Sequence, residues 1–538
     1  MTRQTQRFIK GAVILSFAGL ASKVISAFYN IPLAYYTGDQ GVGYYQQVYP
    51  IYAFLTAAAL VGLPNSVSKL IAEETAAGHY KRAHNTFKAT FWLAVLFGAA
   101  VSLLLYFGGG FFIQVAHWDP GSLHVMRGLA FSPVFIGVAG AVRGYFQGMQ
   151  VMHPTGISQI IENFIKVIVG IGLVVTLLGA GSSIPEAVGG AALGATVGFA
   201  VAAVYLVLAY GKVRKGLLER AAASGDSQAR FLWLPAIGRI IAIAVPVTAA
   251  SAAFSVMSMI DSLTLSSILM SQGAGHTAAD GVEMLGQMRK AYSVINVPLV
   301  LSVSLIISLV PGISAAKARD DGEELASKIK EGIGLAIKLG TPASVGIVVL
   351  ALPIMKLLYP AGYEGVAYLQ VFGATLVFMV LGQSLSGILQ GLSRYYVPIA
   401  ALAWATGVKL VLNHLLIPTG LQGLGAALGS LGFYIVFVFV NYHYIRRNVD
   451  FHLEITQEFL KPLLAAGVMG VCSGLGYKAM VALTGSNALS TLAAIGLGAL
   501  LYALVLFWSR GFSEDELSLL PKGRKLQKMV DSVHKKKE

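Results

Sequence analysis

Residues 190–215 read GAALGATVGFAVAAVYLVLAYGKVRK, and residues 425–447 read GAALGSLGFYIVFVFVNYHYIRR. Both open on Gly-Ala-Ala-Leu-Gly, continue without a charge for the roughly 20 residues that cross a bilayer, and end in a basic cluster. An uncharged apolar helix with cations at one end is a membrane span whose cationic end faces the cytoplasm. Its recurrence points to an internal repeat. A second match extends it: Gly144, Gln147, Gly148 and Lys166 correspond, at a constant offset of 243, to Gly387, Gln390, Gly391 and Lys409.

Working outward, fourteen such stretches fill the chain: 11–36, 44–73, 88–115, 124–150, 156–180, 187–211, 237–270, 285–316, 330–358, 366–390, 396–418, 423–447, 460–482 and 488–509. Of 39 Lys and Arg, 30 fall on one side of this array, so both termini are expected in the cytoplasm. The connections 37–43, 114–123, 181–186, 271–284, 359–365 and 419–422 on the opposite side have none. A missed span would reverse this alternation. The expected fold is thus all-α and integral to the membrane: 14 transmembrane helices, in two pseudo-twofold-related six-helix lobes plus a C-terminal helix pair. The lobes are 1–211 and 237–447, with a cytoplasmic linker at 212–236, the extra pair within 448–509 and a basic cytoplasmic tail at 510–538. Because each lobe has an even number of spans, the two share one orientation and a cavity can open between them.

Composition agrees. Of 538 residues, 56% are hydrophobic and 12% charged, and the mean hydropathy is +0.70. These values exclude a water-soluble domain of any size. The net charge of +14 is a topology signal and an anionic-lipid contact rather than a nucleic-acid footprint, so no nucleic-acid partner is expected. The lone Cys472 can form neither an intrachain disulfide nor a cysteine metal site.

Function must lie in the polar residues inside the spans. Lys23, Arg127, Arg143, Lys166, Arg289, Lys290, Lys356 and Lys409 outnumber the comparably deep acids, Glu162 and Asp261. A charge at mid-bilayer costs roughly 2.5–3.5 kcal/mol, so such groups must line water, pair, or meet a ligand. Arg127 and Lys356 sit near helix ends and are read as snorkelling, and Arg143 is expected near the cytoplasmic surface. Ser16, Gly19, Lys23, Ser26 and Asn30 share one face of the first helix. Ser251, Ser255, Ser258, Ser262 and Ser266 form a stripe on the seventh, and Arg289, Ser293 and Asn296 align on the eighth. Such stripes either face water or serve close helix packing. Glu162 and Lys166 have the i, i+4 spacing of an ion pair, whereas Lys409 has no local acid. Pro32, Pro50, Pro64, Pro298 and Pro311 are bending points or fixed kinks. The cationic excess selects small anions or lipid-headgroup phosphates. Lys23, Arg289, Lys290, Asn30 and Asn296 are the candidate diphosphate contacts, with Glu162, Lys166, Asp261 and Lys409 as an intramembrane charge network.

Arg143-Gly144-Tyr145-Phe146-Gln147-Gly148-Met149-Gln150 followed by Pro154-Thr155, Ser22-Lys23-Val24 and Gly62-Leu63-Pro64-Asn65 resemble the multidrug, oligosaccharidyl-lipid and polysaccharide exporter superfamily. Within it the chain is most similar to the polysaccharide biosynthesis proteins that include lipid II flippases and stage V sporulation protein B. The resemblance spans all fourteen helices. It implies a multi-pass protein of the bacterial cytoplasmic (inner) membrane whose lobes rock, whose basic cavity binds a polyprenyl-diphosphate sugar lipid, and whose last helix pair makes a groove for the lipid tail. Lys23 matches a cavity arginine of the flippases, while Tyr29-Asn30 stands where they have Arg-Asp. Asp261 and Asn413 resemble sodium-binding positions of some relatives, which implies sodium or proton coupling, although Lys409 one turn earlier could replace the ion. No cofactor or firmly assigned metal is implied, and a monomer is expected. Two other functions compete. A multidrug exporter would line its cavity with acids. A membrane glycosyltransferase or polymerase would need acidic or metal-binding residues on a substantial loop, whereas His79, His84, His117, His124, His276 and His443 are scattered, so no enzyme is expected. A non-transporting scaffold of wall synthesis is excluded only weakly by these residues.

Overall fold

The computed structural model describes the backbone of residues 3–223, 232–271, 275–509 and 511. Within these ranges the side chains at 3–21, 23–24, 26–28, 215–218, 220–223, 250–251 and 300–308 lie outside the described residues. Among the described residues every regular element is a helix. The first eight are α1 (Arg3–Ala57), α2 (Leu63–Ala76), α3 (Tyr80–Ala116), α4 (Ser122–Leu129), α5 (Ser132–Gly148), α6 (His153–Gly179), α7 (Ile184–Ala223) and α8 (Trp233–Ser251). There follow α9 (Ala253–Ser271), α10 (Ala278–Ala318), α11 (Gly322–Val349), α12 (Ala351–Leu358), α13 (Val366–Gly391), α14 (Tyr396–Leu416), α15 (Gly423–Asn448), α16 (Lys461–Thr484) and α17 (Asn487–Trp508). The chain is an all-α, multi-pass membrane protein, as lipid demands when each backbone polar group must be satisfied within its own segment.

Twelve described stretches are long and apolar enough to cross a membrane. They match every expected span except 11–36 and 285–316, parts of which lie outside the described side chains. Several boundaries differ. The connection expected at 37–43 shortens to a sharp break at Gly38 (φ 63, ψ −167), where two helical segments of α1 meet in a conformation a Cβ would oppose. The non-helical residue there is thus a glycine rather than Pro32. The expected seventh helix is two, α8 and α9, parted at Ala252, and the expected fourth is α4 and α5. Of the expected linker, residues 212–223 prolong α7, while 224–231 and the tail from 512 lie outside the described residues.

Packing gathers the chain into two compact units, Met1–Lys290 with Ile417–Gly423, and Ala291–Leu416 with Leu424–Glu538. In the first, Tyr29, Leu33, Tyr45 and Val48 of α1 bury against Val125 and Leu129 of α4 and Val188 and Ala191 of α7. In the second, Ala465 and Met469 of α16 close on Tyr502 and Leu506 of α17, with Val345 of α11 packed against them. Exposed faces are equally apolar, with Trp92, Leu96, Phe107 and Phe111 on α3 and Leu492, Leu500 and Leu504 on α17. In water such faces would aggregate; in a bilayer they meet their solvent.

The repeat is visible in backbone geometry. After α5, Gln150 takes a positive φ of 59, and the N–H groups of Met149, Gln150 and Val151 donate to the carbonyls of Tyr145, Gln147 and Phe146. After α13, Ser393 takes a φ of 57, and Leu392, Ser393 and Arg394 donate to Ile388, Gln390 and Leu389. Every residue in the second set lies 243 beyond its counterpart. Both helices thus end in one and the same left-handed turn, which recovers the carbonyls a helix end would orphan.

Candidate functional site

In the first unit, four tyrosines of α1 form a column. Tyr29 and Tyr45 have ring centroids 6.1 Å apart, Tyr45 and Tyr49 stack at 5.4 Å, and Tyr49 and Tyr52 lie at 6.0 Å. Two cations sit on it. The Lys166 Nζ of α6 lies 4.6 Å over the Tyr29 ring, and the Arg289 guanidinium of α10 lies 4.9 Å over Tyr49. Tyr29 cannot swing away, because its hydroxyl donates to the Ala191 carbonyl at 3.0 Å and its side chain is buried. Both ring seats, Tyr29 and Tyr49, neighbour Tyr45 in the column, so the two cations share one aromatic stack.

The carboxylates of this region are engaged elsewhere. Glu162 does not neutralise Lys166 as its spacing suggested; it accepts from Arg143 Nη2 at 2.7 Å, while Arg143 Nε donates to Ser158 Oγ at 2.9 Å. Arg143, expected at the surface, is therefore a buried partner, and α5 approaches α6 closely enough to outcompete the neighbour one turn away. Asp39 binds Lys290, whose side chain is 1% exposed. That neighbour of Arg289 is thus already paired, which the sequence reading missed because it placed residue 39 in a solvated loop.

The serine stripe of the seventh span falls to packing rather than water. Ser258, Ser262 and Ser266 are buried; Ser262 donates to the Gln47 carbonyl, Gln47 donates to Ser266, and Trp118 donates to the Ser262 carbonyl at 2.7 Å. Ser22 donates to the Gln159 carbonyl at 3.0 Å and accepts from Asn163 at 2.6 Å, tying α1 to α6. Lys23 itself lies outside the described side chains. Asn30 is buried with its Oδ1 lacking a hydrogen-bond partner, and Asp261 is 1% exposed in α9.

The second unit holds Asn296, Lys409 and Asn413. Lys409 Nζ donates to Ser430 Oγ at 2.7 Å and to the Ala426 carbonyl at 3.2 Å, fully buried between α14 and α15. Asn413 is buried one turn along, and Asn296 is half-buried. Lys338, one of the five cations at 317–338 that the charge pattern groups with the cytoplasmic side, is buried in α11 and paired with the buried Glu458 at 3.0 Å. Tyr502 of α17 donates to the Lys338 carbonyl at 2.8 Å. Together they fasten α16 and α17 to α11. Among the described residues no three His, Cys, Asp or Glu gather as a metal site.

The model of the family described as "Polysaccharide biosynthesis protein" matches residues 8–317, more than half of the chain. The chain belongs to that family. It thereby falls in the multidrug, oligosaccharidyl-lipid and polysaccharide exporter superfamily that its motifs resemble. It is 26% identical over 531 residues to the uncharacterized membrane protein YabM of Bacillus subtilis (strain 168), covering 97% of this chain and 96% of that one. To the lipid II flippase MurJ of the same organism it is 23% identical over 485 residues, covering 87% and 88%. A solved lipid II flippase MurJ in an inward closed conformation superposes with a TM-score of 0.68 at 14% identity, over 92% of this chain and 98% of that one. That likeness establishes the fold. In this family member, then, the two described cations on the tyrosine column are Arg289 and Lys166, one foreseen as a diphosphate contact and one as part of a charge network.

Proposed function

We propose that this family member is a flippase, moving a lipid-linked sugar with a diphosphate linker from the cytoplasmic to the outer leaflet of a bacterial cytoplasmic membrane by alternating access. The cargo class is undecaprenyl-diphosphate-linked and lipid II-like. One observation carries the reading: Arg289 and Lys166 share a tyrosine column while the neighbouring carboxylates Glu162 and Asp39 are held by Arg143 and Lys290. Two cations on one aromatic column suit phosphate, with arginine gripping a diphosphate as a fork and lysine as a point charge. Kinship with a protein named as a lipid II flippase supports the same class.

The proposal includes fourteen spans in two six-helix lobes with a C-terminal pair, cytoplasmic termini, a monomeric state, and transport rather than catalysis. Lys23, Asn30, Lys290 and Asn296 are included as further cargo contacts, Lys290 once it is released from Asp39. Asp261 or Asn413 serves sodium or proton coupling. The test is reconstitution in liposomes. Wild-type protein translocates an undecaprenyl-diphosphate sugar, and Lys23→Ala with Arg289→Ala abolishes this in a folded protein; unchanged translocation by the double variant refutes the site. Rescue of a flippase-depleted cell separates this function from drug efflux, polymerisation and scaffolding.

A further inference from the structure

We infer that Lys166, seated on the Tyr29 ring, is a direct contact for the diphosphate of the cargo. This rests on the flippase reading and adds to it a residue on α6. Local spacing would have neutralised Lys166 with Glu162 at i−4, yet that carboxylate lies 2.7 Å from Arg143, whose own side chain is buried. Among the described residues Lys166 has no carboxylate within ion-pair distance; its partner is an aromatic face at 4.6 Å. A cation–π contact at a partly buried site offsets only part of what withdrawing the ammonium from water costs. A second cation, Arg289, sits over Tyr49 in the same column. An anion arriving at Lys166 supplies the counter-charge that the ring does not.

The seat also fits a positioning task. Tyr29 is fixed at its hydroxyl by the Ala191 carbonyl, so the ring presents one face at a set place, and α6 is pinned to α1 through Ser22 and Asn163. A flexible ammonium stem is thereby held ready without being consumed in a pair. Diphosphate, which carries more than one negative charge, is the chemistry that matches an ammonium seated in a column with a second cation, whether carried on a polyprenyl chain or free in solution.

The experiment has two parts, both with purified full-length protein. First, binding of polyprenyl diphosphate is compared with binding of the polyprenol that lacks phosphate. Wild type should prefer the diphosphate; Lys166→Met should cut that preference about tenfold, equivalent to about 1.4 kcal/mol, with polyprenol binding unchanged. Lys166→Arg should restore most of it. If folded Lys166→Met keeps the full preference while the wild type shows one, Lys166 is no contact and the flippase reading survives. If the wild type shows no preference, that reading falls and takes this inference with it. Second, on unmutated protein, acylation of Lys166 by an amine reagent is followed by mass spectrometry. Protection by polyprenyl diphosphate points to a lipid headgroup, and protection by inorganic pyrophosphate alone to a free anion; either supports the contact. Equal protection by polyprenol overturns it.

Discussion

Lys166 and Lys409 occupy equivalent places in the repeat and are treated oppositely by their surroundings. In the second copy the ammonium enters the seam between its helix and the next, where the Ala426 carbonyl and the Ser430 hydroxyl receive it. In the first copy the equivalent carbonyl, Ala191, is already occupied by the Tyr29 hydroxyl, and the ammonium rests on the outside of that ring. A second exchange accompanies this. Gly194 packs against the backbone of Gly170 so closely that a Cβ would collide, whereas Gly429 packs against the side-chain amide of Asn413, which stands 243 residues beyond Gly170. The copied helices keep their path while the polar groups between them are redistributed. One lysine has become part of the packing, and the other has been left at its edge.

A further lysine, Lys338, extends a comparison that can be broken by experiment. The described contacts of Lys338 include a carboxylate, those of Lys409 a hydroxyl and a carbonyl, and that of Lys166 a ring. The largest effect belongs to Glu458→Gln, which strands a buried ammonium and should cost about 3–5 kcal/mol of stability. Detergent-micelle unfolding would measure it. It should also loosen α16 and α17 from α11, read as faster amide exchange in α16. Next comes Ser430→Ala, which removes a hydrogen bond to a charged group and should cost about 1.5–3 kcal/mol by the same assay. A silent Ser430→Ala would show that Lys409 is held by its other partners and would erase the contrast with Lys166. Tyr29→Phe follows at about 1 kcal/mol, since it deletes the hydroxyl on Ala191 but keeps the ring under Lys166. Loss of diphosphate preference in that variant would mean that the hydroxyl, not the ring, sets the cation.

Much of this was readable in the linear chain. The GAALG copies and the matched Gly148 and Gly391 disclosed the repeat because they mark helix ends and crossings, which local chemistry fixes. The pairings were not readable. Glu162 sits four residues from Lys166 but takes Arg143, 19 residues away, because the approach of α5 to α6 is a property of packed helices rather than of one helix. Lys338 groups with the cytoplasmic cations on charge alone; no periodicity reveals that the turn before α16 brings Glu458 against α11. The serine stripe gave a face and left its environment open, since a small polar face serves equally for water and for close packing; Ser258, Ser262 and Ser266 are buried in packing.

The smallest effect tests the rule at the membrane's edge, where a lysine faces a carboxylate in water. Lys330 Nζ lies 2.9 Å from Glu454 Oε1, with side chains 34% and 62% exposed. The hydrogen bond from Lys330, and then its charge, hold the Glu454 carboxyl below the ordinary glutamate range. A lowered folded-state value means that the pair contributes stability above the unfolded carboxyl's pKa and loses it as pH falls through the folded one. Because the carboxylate stays largely hydrated and salt screens the pair, Glu454→Gln should cost no more than about 0.5 kcal/mol at neutral pH and nothing once the carboxyl is protonated. Unfolding curves at neutral and acid pH, each with and without added salt, would measure this. A cost as large as that of Glu458→Gln would show that burial is not what separates the two pairs, and the ranking of the three lysines by environment would fail with it.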